Sequence, residues 1–395
     1  MNKNGWILPL IVLTTSGFLM ELSFTMVTPF LPLYLVQELH VVPDDVNLWS
    51  GAVFSVTFFI SGLLGPVWGV IADRKSRKLM ALRASVLLAV SYVLCGVVTS
   101  VEGLFAARVF QGFSAGLYPA LLALVATTMP NNKIGLSMGL LQGGMTIGGI
   151  GGPFIGGVLS TEFGMRNSFY IAGIALAIIT VLIFFYCKEG KHDEFKGKKS
   201  FFDFSVLKSP AILQMLIGSA VIYAALFSLQ PIFPLYLAEL QGSMENITLI
   251  AGTVFSISGI SVMIASPLLG AAGQKYGFMK VLLVCLVLSA AVIALQVVPD
   301  SVEGLTFWRF LGGFAVAGLI PTVNSILSQV CPPEEKGQIY GFNFLTGHIG
   351  MALGPLIAAW AAGICGYAFV IAASGLILLP YAAWLVLCNR NALNK

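Results

Sequence analysis

Four ionisable side chains stand in stretches that otherwise hold apolar and small residues: Glu21, Arg108, Arg309 and His348. Ionisable groups placed within a bilayer are costly and mark relays, counter-ions or substrate paths. A carboxyl in a low-dielectric cavity is disfavoured in its charged form, and a neighbouring arginine favours that form. Balanced between these influences, Glu21 could load and release a proton in each working cycle. It could also attract a cationic ligand, or serve only as a hydrogen-bonded structural group. Arg108 and Gln111, three residues apart, share one helical face. Arg108 could face a cavity or a partner, or anchor a helix near an interface, since it lies about a turn and a half from Glu102. Whether Glu21 and Arg108 touch is open. Histidine titrates near neutrality, so His348 could join a proton path or contact substrate. A lone histidine serves equally as a helix–helix hydrogen bonder.

Other chemistry is not expected. No histidine or cysteine has a spacing suited to metal, so no metal or cofactor is expected. No phosphate-cradling loop points to ATP, and no Ser–His–Asp set points to hydrolysis. The chain reads as a non-enzyme. Six cysteines are scattered without pattern, which excludes a disulfide scaffold. A net charge of +4 over 395 residues argues against nucleic acid as a partner.

The elements holding these groups must be membrane helices. The chain is 57% hydrophobic and 10% charged, with mean hydropathy +0.92, against about 25% charged in soluble domains. A spanning helix needs about 20 apolar residues. Twelve stretches qualify: 6–38, 48–72, 79–99, 103–129, 135–159, 167–187, 211–238, 247–272, 280–298, 304–330, 338–361 and 367–388. The first runs on as one long helix and is read as a mature span. With both termini inside, 18 of the 21 basic residues face the cytoplasm, and only Arg166 faces out, as the positive-inside bias requires. The expected fold is all-α: two six-helix bundles, 1–187 and 210–395, joined by a hydrophilic linker, 188–209. Its setting is the inner (plasma) membrane of a bacterial-type cell.

The halves repeat. Pro29, Pro32 and Tyr34 return as Pro231, Pro234 and Tyr236; Gly152-Pro153 returns as Gly354-Pro355; Arg108 returns as Arg309. The offset is 201 or 202 residues. Parallel repeats of this kind belong to transporters that hold substrate between the halves and rock one against the other.

Three motifs carry a family resemblance. One is Gly69-Val-Ile-Ala-Asp73-Arg74-Lys75-Ser76-Arg77-Lys78, in which Gly69 is read as allowing close helix approach. The second surrounds Arg108 and Gln111. The third places Gly139, Gly148, Gly152-Pro153 and Gly156-Gly157 on one span, a small-residue face for tight packing interrupted by a proline that removes a backbone bond. Together they resemble the major facilitator superfamily, and within it the twelve-helix drug:proton antiporter branch. The resemblance implies a cytoplasmic latch at the first motif, proton transfer at the second and export by exchange at the third. One departure is Ser76, where the family usually has glycine.

The cavity is expected to be apolar with scattered polar handles: Tyr34, Tyr118, Gln142, Tyr223, Gln230, Tyr236, Asn324 and Asn343. The expected function is proton-coupled export of amphipathic, cationic drugs or other small molecules by a monomer in the lipid bilayer. Alternatives are a dedicated exporter of one metabolite such as a siderophore or sugar, an uptake symporter, a channel, or a non-transporting sensor.

Overall fold

The computed structural model describes residues 6–74, 76–187, 209–332 and 335–393. Among them every regular element is a helix. Eleven helical stretches are long and apolar enough to cross a membrane. The stretch expected at 135–159 forms a 30-residue helix, Ile134–Phe163, but is not among the eleven. Its glycines give it length without hydropathy. Apart from Ser209, the expected linker lies outside the described residues.

The first stretch is broken rather than continuous. Helix α1 (Ile7–Thr25) ends before a 3-10 turn, Thr28–Phe30, and α2 (Leu31–Gln37) follows. Prolines at 29 and 32 withhold two amide donors there. Then come α3 (Pro43–Arg74) and α4 (Arg77–Val97). Ser76 caps α4, its Oγ accepting from the Leu79 amide at 3.0 Å, and its φ of −60° needs no glycine. The departure at Ser76 is therefore a helix cap. In the second half Gly277, at φ +94°, fills the same place by a different backbone path.

The fourth stretch also divides, into α5 (Val101–Phe113) and α6 (Leu117–Thr128), at Gly116 with φ +112°. The carbonyls freed at this break are capped by side chains. Trp68 Nε1 donates to Phe113 O at 3.1 Å and Arg83 Nη2 to Ala115 O at 2.7 Å, with the guanidinium 3.5 Å from the Trp68 ring centre. Next are α7 (Ile134–Phe163) and α8 (Met165–Tyr186). The second half comprises α9 (Pro210–Gln241), α10 (Ile247–Tyr276), α11 (Phe278–Leu295), α12 (Val302–Val316), α13 (Leu319–Val330), α14 (Lys336–Cys365), α15 (Tyr367–Leu376) and α16 (Leu378–Leu393).

Two ends of the bundle can be told apart by their contacts. At one end Lys78 Nζ donates to Phe184 O at 2.7 Å. At the other, Arg166 ties three helix termini together. It donates to the Glu38 carboxylate at 2.9 Å, to Val98 O at 2.8 Å and to Gly96 O at 3.0 Å. Half-buried and forked, this arginine makes several charge-assisted bonds at once, which a lysine cannot reproduce. Arg166→Ala is expected to cost about 2 kcal/mol, read as a lower unfolding temperature of the purified protein. Arg166→Lys should recover only part of it.

Across the two halves, α3 lies along α14 and α7 along α10. The repeat relates these two contacts to each other. Close approach of α3 to α14 occurs at Gly51, Gly62 and Gly65, where an added Cβ would meet Ala359, His348 and Phe344 at 2.6 to 2.8 Å. Gly69 does not have the role expected of it, since a Cβ there would meet nothing within 4 Å. Arg77 opens α4, while the side chains of Asp73 and Arg74 lie outside the described residues, as does Lys75.

Candidate functional site

A cavity of about 480 Å³ lies between the halves. Its first-half wall carries Glu21, Phe24 and Thr25 of α1 and Gln142, Met145 and Gly149 of α7. Glu21 is brought to the surface of the cavity by the absence of a side chain at 149, where a Cβ would stand 3.3 Å from Glu21 Cγ. Among the described residues no hydrogen bond or ion pair reaches its carboxylate. The group is half-buried, apolar-walled and unpaired.

Arg108 is not its partner. It is 1% exposed and lies outside the cavity lining. Its guanidinium donates to Gln111 Oε1, and through Nε to Val53 O at 3.3 Å. Thr57 Oγ1 in turn donates to Arg108 O at 3.0 Å. The shared face of Arg108 and Gln111 therefore makes a sealed pair packed on α3.

His348 also lies off the cavity. Its ring stands 3.8 Å from that of Phe344, with Nδ1 2.9 Å from Phe344 O. Of the eight expected handles, Gln142 and Gln230 line the cavity. Tyr34 is buried and donates to Cys95 O at 3.1 Å. Tyr236 is buried as well, and Tyr223 packs on Gly347 and Phe227. Asn343 bonds Ser219 and, at 3.0 Å, Asn324, in a cluster between α9, α13 and α14. Tyr118 stands 3.5 Å from Gln142 but outside the lining. The polar tips of Tyr34, Asn324 and Asn343 found partners in neighbouring helices, which removes them from the cavity surface.

The second-half wall holds Arg309, one of the four intramembrane charges, beside Gln230 and residues not expected there: Gln296, Phe227, Phe255 and Ser258. Arg309 packs against a pair of touching aromatic rings, 4.2 Å from the Phe233 centre and 5.2 Å from that of Phe255. The available signal was the asymmetry of the repeat. Gln111 stands three residues after Arg108, whereas Gly312 stands three after Arg309.

The glycine–proline helix closes one end of the cavity. Gly148, Gly152 and Gly156 face α1, where a Cβ would run into Phe18 O, the Thr25 side chain and the Met26 backbone. Gly157 and Pro153 face α10, against Thr248 and Gly252. Ser256 of α10 spans the proline turn. Its Oγ donates to Ile150 O at 2.6 Å and accepts from Phe154 N at 3.1 Å, the two groups a regular helix would join to each other. Beyond Ile150 the helices part, and a Cβ at Gly143, Gly139 or Gly270 would meet nothing within 4 Å. The cavity is thus closed at the Arg166 end by buried Thr28, Leu229 and Gln296, and open towards the Lys78 end past exposed Gln142. Ser256→Ala removes a bridge made only while α7 and α10 touch. At about 0.6 kcal/mol per interhelical bond in lipid, it should shift the population roughly threefold towards separated helices. Distances between spin labels on α7 and α10 would show this.

A family profile described as Major Facilitator Superfamily matches residues 13–259 and 215–393. The chain belongs to the Major Facilitator Superfamily. Among its relatives in the superfamily, "Multidrug resistance protein MdtG" of Yersinia enterocolitica is 33% identical over 394 residues, covering 98% of this chain and 94% of that protein. "Multi-drug resistance efflux pump PmrA homolog" of Lactococcus lactis is 33% identical over 402 residues, covering 100% and 99%. By this homology the chain is a multi-span protein of the bacterial inner membrane, in the multidrug efflux branch of the superfamily. Among solved structures, the nucleoside transporter NupG superposes with TM-score 0.82 at 16% identity, over 96% of this chain and 99% of that one. A bacterial homologue of the human lysosomal transporter Spinster, inward-facing and occupied, gives 0.80 at 15% identity, over 99% and 98%. At these identities the likeness is one of fold.

Proposed function

We propose that this protein exports amphipathic small molecules, cationic drugs among them, in exchange for protons by alternating access. The names of the sequence relatives support the cargo. The observation that carries the coupling is Glu21, an unpaired carboxylate in an apolar cavity between two halves.

The exchange follows from the cost of burying that charge. An ionised carboxylate closed off from water without a partner is strongly disfavoured. A proton removes the charge and a cationic ligand offsets it, so either one permits the cavity to close. Both together are not needed and compete for one group. Each occupant crosses in its own direction, which is antiport.

In this reading α7 is the twelfth span, its glycines serving contact rather than hydropathy. Two six-helix bundles, 1–187 and 210–395, rock about the α3–α14 and α7–α10 contacts, and the unit is a monomer. Both termini and the Lys78 end face the cytoplasm, following the lysine and arginine bias. The open mouth past Gln142 then admits cargo from inside the cell. Arg108 holds α5 against α3, and His348 packs α14 on α3, while the motif from Gly69 to Lys78 acts as the cytoplasmic latch in the alternate state.

The test is efflux of a panel of dyes and drugs from cells producing the protein, with and without a protonophore. Energy-dependent clearance of several unrelated amphipathic cations supports the reading. Clearance of a single secreted metabolite alone contradicts it in favour of a dedicated exporter.

A further inference from the structure

The two halves do not present the same charge to the cavity. At the repeat position of Glu21 the second half has Tyr223, which lies outside the lining and packs on Phe227. At the repeat position of Arg309 the first half has Arg108, which Gln111 and Val53 hold through Nη1 and Nε, leaving Nη2 without a partner. The side chain that holds Arg108 has no counterpart in the second half, because Gly312 occupies the place of Gln111. Gly312 itself lines the cavity. So one half offers an unpaired carboxylate and the other an unpaired guanidinium.

Arg309 is packed but not satisfied. The Phe233 and Phe255 rings lie beside its guanidinium, which stabilises the cation without using its N–H donors. Among the described residues no hydrogen bond or ion pair reaches it, and its Nε is a buried donor without a partner. Two further amides on the same wall carry unpartnered acceptors. The Oε1 atoms of Gln230 and of Gln296, the latter 1% exposed, have no partner. Buried polar groups are almost always bonded, and the unpartnered Arg309 donor marks a place where a ligand's acceptor is missing. A guanidinium fork fits a carboxylate or another planar oxyanion, and a glutamine amide turned about its last bond can add an N–H.

We propose that Arg309, with Gln230 and Gln296, forms an anion-holding subsite opposite Glu21. The preferred substrates are then zwitterions: an aromatic body with a cationic amine at one side and a carboxylate at the other. This rests on the cargo reading above and narrows it from amphipathic cations in general. It also explains how a cavity that attracts cations tolerates a cation in its own wall. A zwitterion pairs both charges, while a simple cation leaves Arg309 unpaired.

The test is binding to the purified full-length protein in lipid nanodiscs, read by fluorescence polarisation. The probes are a rhodamine dye with a free carboxylate and its methyl ester, which share the cationic aromatic body. The wild type should bind the free acid about tenfold or more tightly than the ester, as one charge-assisted pair is worth. Arg309→Gln should erase that preference by weakening the acid while leaving the ester unchanged or tighter. Arg309→Lys should keep part of it. Retained ester binding shows that each variant is folded. Equal binding of both probes by the wild type overturns the proposal, as does an Arg309→Gln variant that weakens both probes alike, which would make Arg309 a packing residue only. If neither probe binds the wild type, this proposal and the cationic-cargo reading fall together. If Glu21→Gln leaves the ester unaffected while Arg309→Gln still erases the acid preference, only the role of Glu21 falls.

Discussion

Glu21→Gln is expected to bind an amphipathic cation weakly and to lose proton-driven transport altogether. Glutamine keeps the shape and one carbonyl of glutamate but can neither ionise nor carry a proton. In the exchange described above, both halves of the cycle depend on the state of this one carboxyl. The variant has the neutral form permanently, so it can close and reopen without cargo and gains nothing from a proton gradient. Gradient-driven uptake into inverted vesicles should fall to the level of vesicles without the protein, a loss of at least about tenfold for a group essential to the step. Energy-independent exchange of labelled for unlabelled substrate should survive in part, since the apolar walls and Arg309 are untouched. Full gradient-driven transport by Glu21→Gln would remove this residue from the mechanism. Glu21→Asp is the informative companion, because it keeps the titrating group but withdraws it from the cavity centre.

Gly156→Ala is expected to damage the fold more than any other single methyl group. An added Cβ would coincide with the backbone of Met26 on α1, and backbone cannot rotate aside as a side chain can. The two helices must separate, which also opens the neighbouring contacts at Gly148 and Gly152. Overpacking of this kind costs about 3 kcal/mol at the upper end of its usual range, equivalent to a fall in melting temperature of about 4 °C for a chain of this length. Gly139→Ala on the same helix is the control. A Cβ there meets nothing within 4 Å, and alanine is the better helix former. Thermal unfolding of the two purified variants should therefore move in opposite directions from the wild type. Equal melting temperatures would mean that α1 and α7 do not approach as closely as described.

The helical, membrane-spanning character was legible from composition alone, because so few charges cannot cover a soluble surface. Helix α7 shows the limit of that signal. Hydropathy counts transfer from water, whereas Gly148, Gly152 and Gly156 contribute close backbone contact that hydropathy does not register. Breaks at Gly116 and near Pro29 were not legible, since a proline or glycine in a helix is tolerated or disruptive according to its neighbours. The same proline pair at 231 and 234 leaves α9 whole.

The candidate site was half legible for a related reason. Intramembrane charges stood out, but which of them meet the cavity depended on what lay beside each. Arg108 and Arg309 occupy one repeat position, and the difference between a sealed and a free guanidinium is the difference between Gln111 and Gly312. Tyrosine handles such as Tyr34 were misplaced because a phenol at the end of a long ring reaches a backbone carbonyl in the next helix, here Cys95 O. Side-chain type alone carries no information on that choice. Gly69 was misread in the same way: it repeats a family motif, yet close approach of α3 to α14 is made by Gly51, Gly62 and Gly65.

The central claim is that substrate and protons move in opposite directions through one cavity. The most direct measurement uses the wild-type protein in liposomes that enclose a pH-sensitive dye. An amphipathic cation is added outside, with no initial pH difference. Exchange predicts that substrate entering the lumen drives protons out, so the lumen turns alkaline, and that Glu21→Gln liposomes give no signal. Acidification on substrate entry would mean symport, and substrate entry with no pH change would mean uncoupled flow; either result contradicts the account.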